Sequence, residues 1–295
     1  MKRILNETIL KIVGILSMTC DHIGACLWMV YVDTTSVGYL VGYILRIIGR
    51  ISLPLFIFML VEGLKHTSNK WKYCGRIALI CLPMTVIELV IGAIMKDMSI
   101  MPPHAFTELL LFALIATLWS GKWWQKILSS LPIAYIILSF LADVFSYHGI
   151  TALDWFIPAL WADYDLFGFA LFIAFYFSYP LVDVLSRKFS QSAAFDLETF
   201  KQSDDYRKLS NFTAFTMLLL VNVIFWGLAY FFGQTTNTYL YQYHSQTYSV
   251  ISGLFILLYN GKRGYDSKWF RIANYLYYPV HIVIIYGIFM ILFWM

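Results

Sequence analysis

Apolar residues come in blocks separated by short polar gaps: 9–31, 39–64, 73–95, 104–120, 126–145, 165–186, 210–232, 247–261 and 272–294. A helix rises about 1.5 Å per residue, so roughly 20 apolar residues cover the ~30 Å of hydrocarbon in a bilayer. The pattern predicts an all-α fold, a polytopic integral-membrane bundle of about nine to ten transmembrane helices. The segment 148–162, "HGITALDWFIPALWA", is apolar but short and carries Asp154 and Pro158. It reads as a partial or re-entrant piece, or as a tenth span. The first block, Ile9 to Tyr31, exceeds the ~7–15 residues of a signal-peptide core and lacks a small-residue cleavage site, so it reads as a span.

Cytoplasmic loops collect Lys and Arg, and here they arbitrate sidedness. With nine spans and the N-terminus cytoplasmic, eighteen of the twenty-one basic residues fall on one side, in the N-terminal segment and after spans two, four, six and eight. The opposite loops, "VDTTSVG", "KDMSIMPP" and "GQTTNTYLYQYHSQ", hold only Lys96, while Arg46 and Arg50 lie inside span two. Counting 148–162 as a full span would turn the basic stretch 187–208 outward, so it is read as an outer-side insertion. Residues 187–208 form the long polar, cytoplasmic linker of a single integral-membrane domain, 1–295. No internal repeat is visible.

Composition agrees: 60% of residues are hydrophobic and only 13% charged, which excludes an ordinary soluble domain. Aromatics, at 19%, suit interfacial Trp and Tyr belts together with packing between helices. Cys20, Cys26, Cys74 and Cys81 have no CxxC spacing and read as small packing residues; no metal pattern is present.

The informative positions interrupt the apolar blocks. In "ILSMTCDHIGACLWMV" (15–30), Asp21 and His22 sit near mid-membrane, where a charge costs roughly 3 kcal/mol on insertion scales. Arg46 and Arg50 are four apart on one face of span two, and Asn274, Tyr277 and His281 recur at helical spacing in span nine. Three helices thus offer polar groups at similar depth. If they converge, a carboxylate beside a histidine can orient its ring for general-base work, and guanidiniums can bind phosphate or stabilise an oxyanion. That inventory suits acyl transfer, with Asp21, His22 and His281 as candidate catalytic residues. The plainer reading makes Asp21 with Arg46 or Arg50 a structural pair locking two helices, and His281 a packed histidine. Gly38, Gly42 and Gly49 form a small-residue face for close helix packing, and Pro54 is expected to kink span two. Glu108, His104, Asp143, His148, Asp154, Asp163 and Asp165 gather at outer span ends. Glu108, His104 and Asp163, with Asn274 and Tyr277, are candidates for contacting an acceptor.

The blocks "KIVGILSMTCDHIG" (11–24), "LRIIGRISLPLFIFMLVEGLKHT" (45–67), "ADYDLFGFALFIAFYF" (162–177) and "YLYYPVHIVIIYG" (275–287) resemble, in order, those of the TraX family, named for the protein that acetylates the F-pilin amino terminus. That family is similar in turn to membrane acyltransferases of the surface-sugar type, which often carry a basic residue, ten residues, then His on the first helix. Lys11, residues 12–21 and His22 reproduce the spacing. The resemblance implies a bacterial inner-membrane acetyltransferase using acyl-CoA, with His22 catalytic and Lys11 meeting the donor. Arg46 and Arg50 match its arginine block, and His281 its terminal histidine. One departure stands out: the family tends to show Asn before "FFTL" in its fourth helix, whereas this chain reads "PPHAFTEL" (102–109), so a different acceptor recognition is expected.

The expected function is transfer of an acetyl or other acyl group from cytoplasmic acyl-CoA, arriving along Lys11, Lys65, Lys72 and Arg76. The acceptor is an extracytoplasmic amine or hydroxyl on a peptide N-terminus, glycan or lipid. The rival classes are a proton-coupled transporter with a mid-membrane polar site and a non-catalytic assembly protein.

Overall fold

The computed structural model describes residues 4–95, 104–189, 196–233 and 238–293. Lys2, Arg3, the 96–103 loop with Lys96 and positions 190–195 of the linker lie outside the described residues. Thirteen α-helices are described: α1 (Glu7–Val30), α2 (Val37–Gly49), α3 (Ser52–His66), α4 (Lys70–Met95), α5 (Ala105–Trp119), α6 (Trp123–Leu128), α7 (Ser130–Tyr147), α8 (Asp165–Phe189), α9 (Leu197–Lys201), α10 (Asp204–Leu228), α11 (Tyr243–Gln246), α12 (Ser252–Leu258) and α13 (Lys268–Phe293). Seven helical stretches among the described residues are long and apolar enough to cross a membrane, counting α2–α3 and α6–α7 as one each. The protein is a polytopic helical membrane protein.

Two of the nine expected spans differ from that reading. α5 has 15 residues, about 22 Å of helix, and is shorter than the other crossing stretches. The block 247–261 is not one helix: a 3₁₀ turn, Thr247–Ile251, leads into α12 of seven residues. Hydroxyls cause this tightening. Thr247 donates to the His244 carbonyl at 2.6 Å and Ser252 to that of Ser249 at 2.7 Å, each three residues back, which favours 3₁₀ over α geometry.

The break in span two falls at Arg50–Ile51, earlier than the kink expected at Pro54. The Ser52 hydroxyl takes the Gly49 carbonyl at 2.8 Å as α2 ends, and Pro54 occupies the first turn of α3, where no N–H is needed. Residues 148–162 form two 3₁₀ turns, Thr151–Leu153 and Pro158–Leu160, that seat Phe156 and Trp161 against Ala142 of α7. Residues 148–162 thus hold two short 3₁₀ turns and no helix of their own long enough to cross a membrane.

Two compact units can be described. Unit 1 comprises 1–56, 177–231 and 242–295; unit 2 comprises 57–176 and 232–241. In unit 1 the amides of Glu7 and Thr8 donate to the carbonyls of Lys262 and Arg263, and Arg207 of α10 lies 5.6 Å over the Tyr259 ring. The starts of α1 and α10 and the loop before α13 therefore share one basic end. In unit 2 Lys70 reaches Ser120 at 2.5 Å and the Trp119 indole donates to Ser129 at 2.8 Å, bringing the basic 65–76 and 122–126 stretches together. The core of unit 2 is aromatic: Phe58, Phe112, Phe172 and Phe175 are fully buried, and the rings of Phe112 and Phe172 stack at 4.8 Å.

Candidate functional site

The polar residues singled out in spans one, two and nine meet within unit 1, on α1, α2 and α13. Small residues set the approach of α1 to α2. A Cβ on Gly42 would meet the Gly24 carbonyl and Leu27, and one on Gly49 would run into the Asp21 side chain. The Gly38–Gly42–Gly49 face is thus a packing face, as its spacing suggests, and it also makes room for a carboxylate. Ser17 donates to the Ile48 carbonyl, tying the same two helices just below.

Asp21 spends both oxygens on the arginines. Arg46 Nη1 donates to Oδ2 at 2.5 Å and Arg50 Nη2 donates to Oδ1 at 2.5 Å. Arg50 is buried and also donates through Nε to the Arg46 carbonyl, whereas Arg46 is partly exposed and lies 5.6 Å over the Trp28 ring. Charge-assisted bonds of this kind are strong, and here one carboxylate clamps two cations from the neighbouring helix. The expectation that Asp21 orients His22 is therefore corrected. Consecutive helical residues point about 100° apart, so the carboxylate faces α2 while the imidazole faces α13.

α13 lies alongside α1 in the same direction. Thr8 donates to the Tyr265 carbonyl, the hydroxyls of Thr19 and Tyr277 are 2.7 Å apart, His22 and His281 have ring centroids 5.1 Å apart, and Tyr31 meets Phe293. His281 is 5% exposed. Its Nδ1 lies 2.9 Å from the Tyr277 carbonyl, and since a carbonyl only accepts, Nδ1 carries the proton. In the neutral ring Nε2 is then the free acceptor, and it is buried with no hydrogen-bond partner. Tyr277 stacks on His281 at 5.0 Å and 12°, while Tyr278 meets both imidazoles edge-on. Asp21, His281, Arg46 and Arg50 all lie within electrostatic reach of His22.

Sequence reasoning missed Thr19, Trp28, Tyr278 and the clamp-forming role of Gly49. Thr19 and Tyr278 each lie three residues before a site histidine, on the same helix face, which is the signal that would have found them. Lys11 is eleven residues from His22, three helical turns, so the two share a face of α1 about 16 Å apart along its axis. Lys11 pairs with Glu7 at 2.6 Å and makes no direct contact with the histidines. Asn274 is half-buried one turn before Tyr277.

The other candidates belong to unit 2. His104 and Glu108 are buried and Asp163 is half-buried. His104 Nε2 lies 3.0 Å from the Thr85 hydroxyl and 3.8 Å from Glu88; the Glu108 carboxylate accepts the Tyr164 amide at 3.3 Å, just ahead of α8. Gly168 leaves space for that carboxylate, and Asp163 lies within electrostatic reach of both Glu88 and Glu108. This end of unit 2 is thus acidic, and its basic end carries Lys72 and Arg76, both exposed on the first turns of α4. Among the described residues no group of three or more His, Cys, Asp or Glu is placed to hold a metal ion.

A stretch of 68 residues is 38% identical to the probable fimbrial assembly protein FimC, serogroup H1, of Dichelobacter nodosus, covering 23% of this chain and 25% of that protein. The likeness thus spans about a quarter of the relative's length. No solved structure is significantly similar to the chain. The sequence profile described as TraX protein matches residues 6–244, which takes in α1 and α2 with Asp21, His22, Arg46 and Arg50 and stops short of α13. The chain belongs to the TraX family.

Proposed function

We propose that the protein is an acyltransferase of the bacterial inner membrane, moving an acetyl or similar group from cytoplasmic acyl-CoA to an amine or hydroxyl of an extracytoplasmic acceptor. Membership of the TraX family and the likeness to a fimbrial assembly protein support a role in assembling or modifying a surface fibre. The single observation that carries the chemistry is Nε2 of His281: buried, left proton-free by the Nδ1–carbonyl bond, and beside a second imidazole.

In this reading the His281–His22 pair removes the proton as the acceptor attacks the thioester carbonyl. The carbon–sulfur bond then breaks, and the proton passes to the leaving thiolate to give free CoA. The partly exposed Arg46 guanidinium faces the developing oxyanion, while Arg50 and Asp21 hold it in place. Tyr277, stacked on His281 and bonded to Thr19, fixes the ring against α1. Asn274 lines the same face of α13.

The test is the mass of cell-envelope molecules with the protein present, absent, or carrying His22→Ala or His281→Ala. An acetyl increment that needs both histidines supports the reading. An increment that persists in the variants, or none in any strain, counts against it.

A further inference from the structure

The contact between α1 and α13 is thin for one that carries the imidazole pair. Long side chains of α13, Ile272, Leu276, Val280, Val283 and Ile284 among them, are exposed. On α1, Ile12 and Leu16 lie in the row that runs from Thr8 to Thr19, and they are exposed as well. In lipid no hydrophobic force presses such helices together, so their register rests on hydrogen bonds and close contacts. A slip of one helical turn is about 5.4 Å, enough to part rings whose centroids now stand 5.1 Å apart.

The densest set of ties lies where both helices begin. The loop 259–265, "YNGKRGY", wraps the first residues of α1. Leu5 and Tyr259 form a parallel bridge: the Leu5 amide donates to the Leu258 carbonyl at 3.1 Å, and the Asn260 amide to the Leu5 carbonyl at 2.8 Å. The first turn of a helix leaves its amides without an internal partner. Here those of Glu7 and Thr8 donate to the carbonyls of Lys262 and Arg263 at 2.9 and 3.2 Å, while that of Ile9 is capped locally by the Asn6 side chain. The Thr8 hydroxyl stands 3.0 Å from the Arg263 carbonyl and 2.9 Å from that of Tyr265, so its one proton ties α1 to the residues just ahead of α13.

Gly264 lets the loop come this close. Its φ of +76° lies in the left-handed region, and a Cβ there would stand 2.6 Å from the Asn6 side chain and 2.7 Å from the Thr8 hydroxyl. Conformation and space both require glycine at this position.

We infer that Thr8 and Gly264 are positioning residues for the His22–His281 pair. Their clasp sets the register of α13 on α1, and the helix from Thr8 to His22, about 21 Å long, carries that register to the imidazoles. Neither residue touches the reacting groups. That the pair so positioned accepts a proton rests on the acyl-transfer reading; the register does not.

The experiment is solid-state NMR on the full chain in phosphatidylcholine bilayers with isotopically ring-labelled histidine. The chain has six histidines, and the cross-peak between the rings of His22 and His281 is the one that His281→Gln abolishes. Gly264→Ala forces a methyl into the clasp, Thr8→Val deletes the hydroxyl at nearly constant shape, and Thr8→Ser keeps it. Gly149→Ala in unit 2, at a φ of +67° with open space around it, is the control for alanine in the left-handed region. The expected result is a cross-peak present in wild type, Thr8→Ser and Gly149→Ala and lost in Gly264→Ala and Thr8→Val, with thermal unfolding showing each protein folded. Thr8→Val, the milder change, decides the matter if Gly264→Ala does not fold. A cross-peak that survives in the folded clasp variants, that is lost in Gly149→Ala as well, or that wild type lacks overturns the inference. Loss confined to the clasp variants in a protein that transfers no acyl group would refute the enzyme and leave the positioning role standing. Undiminished acyl transfer in variants that have lost the cross-peak would do the same.

Discussion

Asp21 is the residue on which the arrangement of α1 and α2 turns, because one carboxylate compensates Arg46 and the buried Arg50 together. Asp21→Leu strips both cations of their partner and is expected to cost about 3–5 kcal/mol of stability, measured by thermal unfolding in detergent. Adding Arg50→Met to Asp21→Leu should recover much of that loss, since an uncompensated buried charge is worse than an apolar pair. A double variant no more stable than the single would show that the clamp is not the stabilising element. Gly49→Ala places a methyl on the carboxylate and should cost about 1–3 kcal/mol by overpacking, although alanine is the better helix former. At this scale the sequence announced which side chains are unusual for lipid and left open how they pair. The adjacency of Asp21 and His22 suggests a catalytic dyad in one dimension; helical geometry sends the two side chains to different neighbours.

The helices explain why the histidines meet. α1 and α13 run in parallel with a nearly constant offset, so residue 8 finds 265, 19 finds 277 and 22 finds 281. Cysteines introduced at Tyr31 and Phe293, whose rings touch, should cross-link under oxidation, while a pair at Thr8 and Phe293 should not. Cross-linking of the second pair alone would mean that α13 runs the other way. Thr19→Val removes the hydrogen bond to Tyr277 and is expected to cost about 1 kcal/mol, with little further loss on adding Tyr277→Phe because both delete the same contact. Long apolar elements such as α1, α4 and α8 were readable from their pattern. The 247–258 region was not, because average hydropathy does not register hydroxyls such as those of Thr247 and Ser252 that bond three residues back and tighten the helix. Likewise the α2–α3 break is set by Ser52 capping Gly49, a local bond hidden behind the more conspicuous Pro54.

For the whole molecule, the positive residues that sequence counting assigned to one side gather at one end of each unit, around Lys262 and Arg207 in unit 1 and around Lys70 and Ser120 in unit 2. In intact cells a membrane-impermeant maleimide should label Thr35→Cys, in the turn between α1 and α2, and leave Ser267→Cys, before α13, untouched until the membrane is opened. Labelling of both from outside would contradict the sidedness. The central claim is that the two imidazoles of α1 and α13 form the proton-accepting core of an acyltransferase. It is tested most directly by incubating purified protein and the proposed acceptors, primary-amine peptides or hydroxylated glycans, with acetyl-labelled acetyl-CoA and counting label transferred. Wild type should transfer or slowly hydrolyse the acetyl group, and His22→Ala and His281→Ala should each fall by about 10²–10⁴-fold while unfolding at the wild-type temperature. Undiminished turnover in either folded variant would contradict the account.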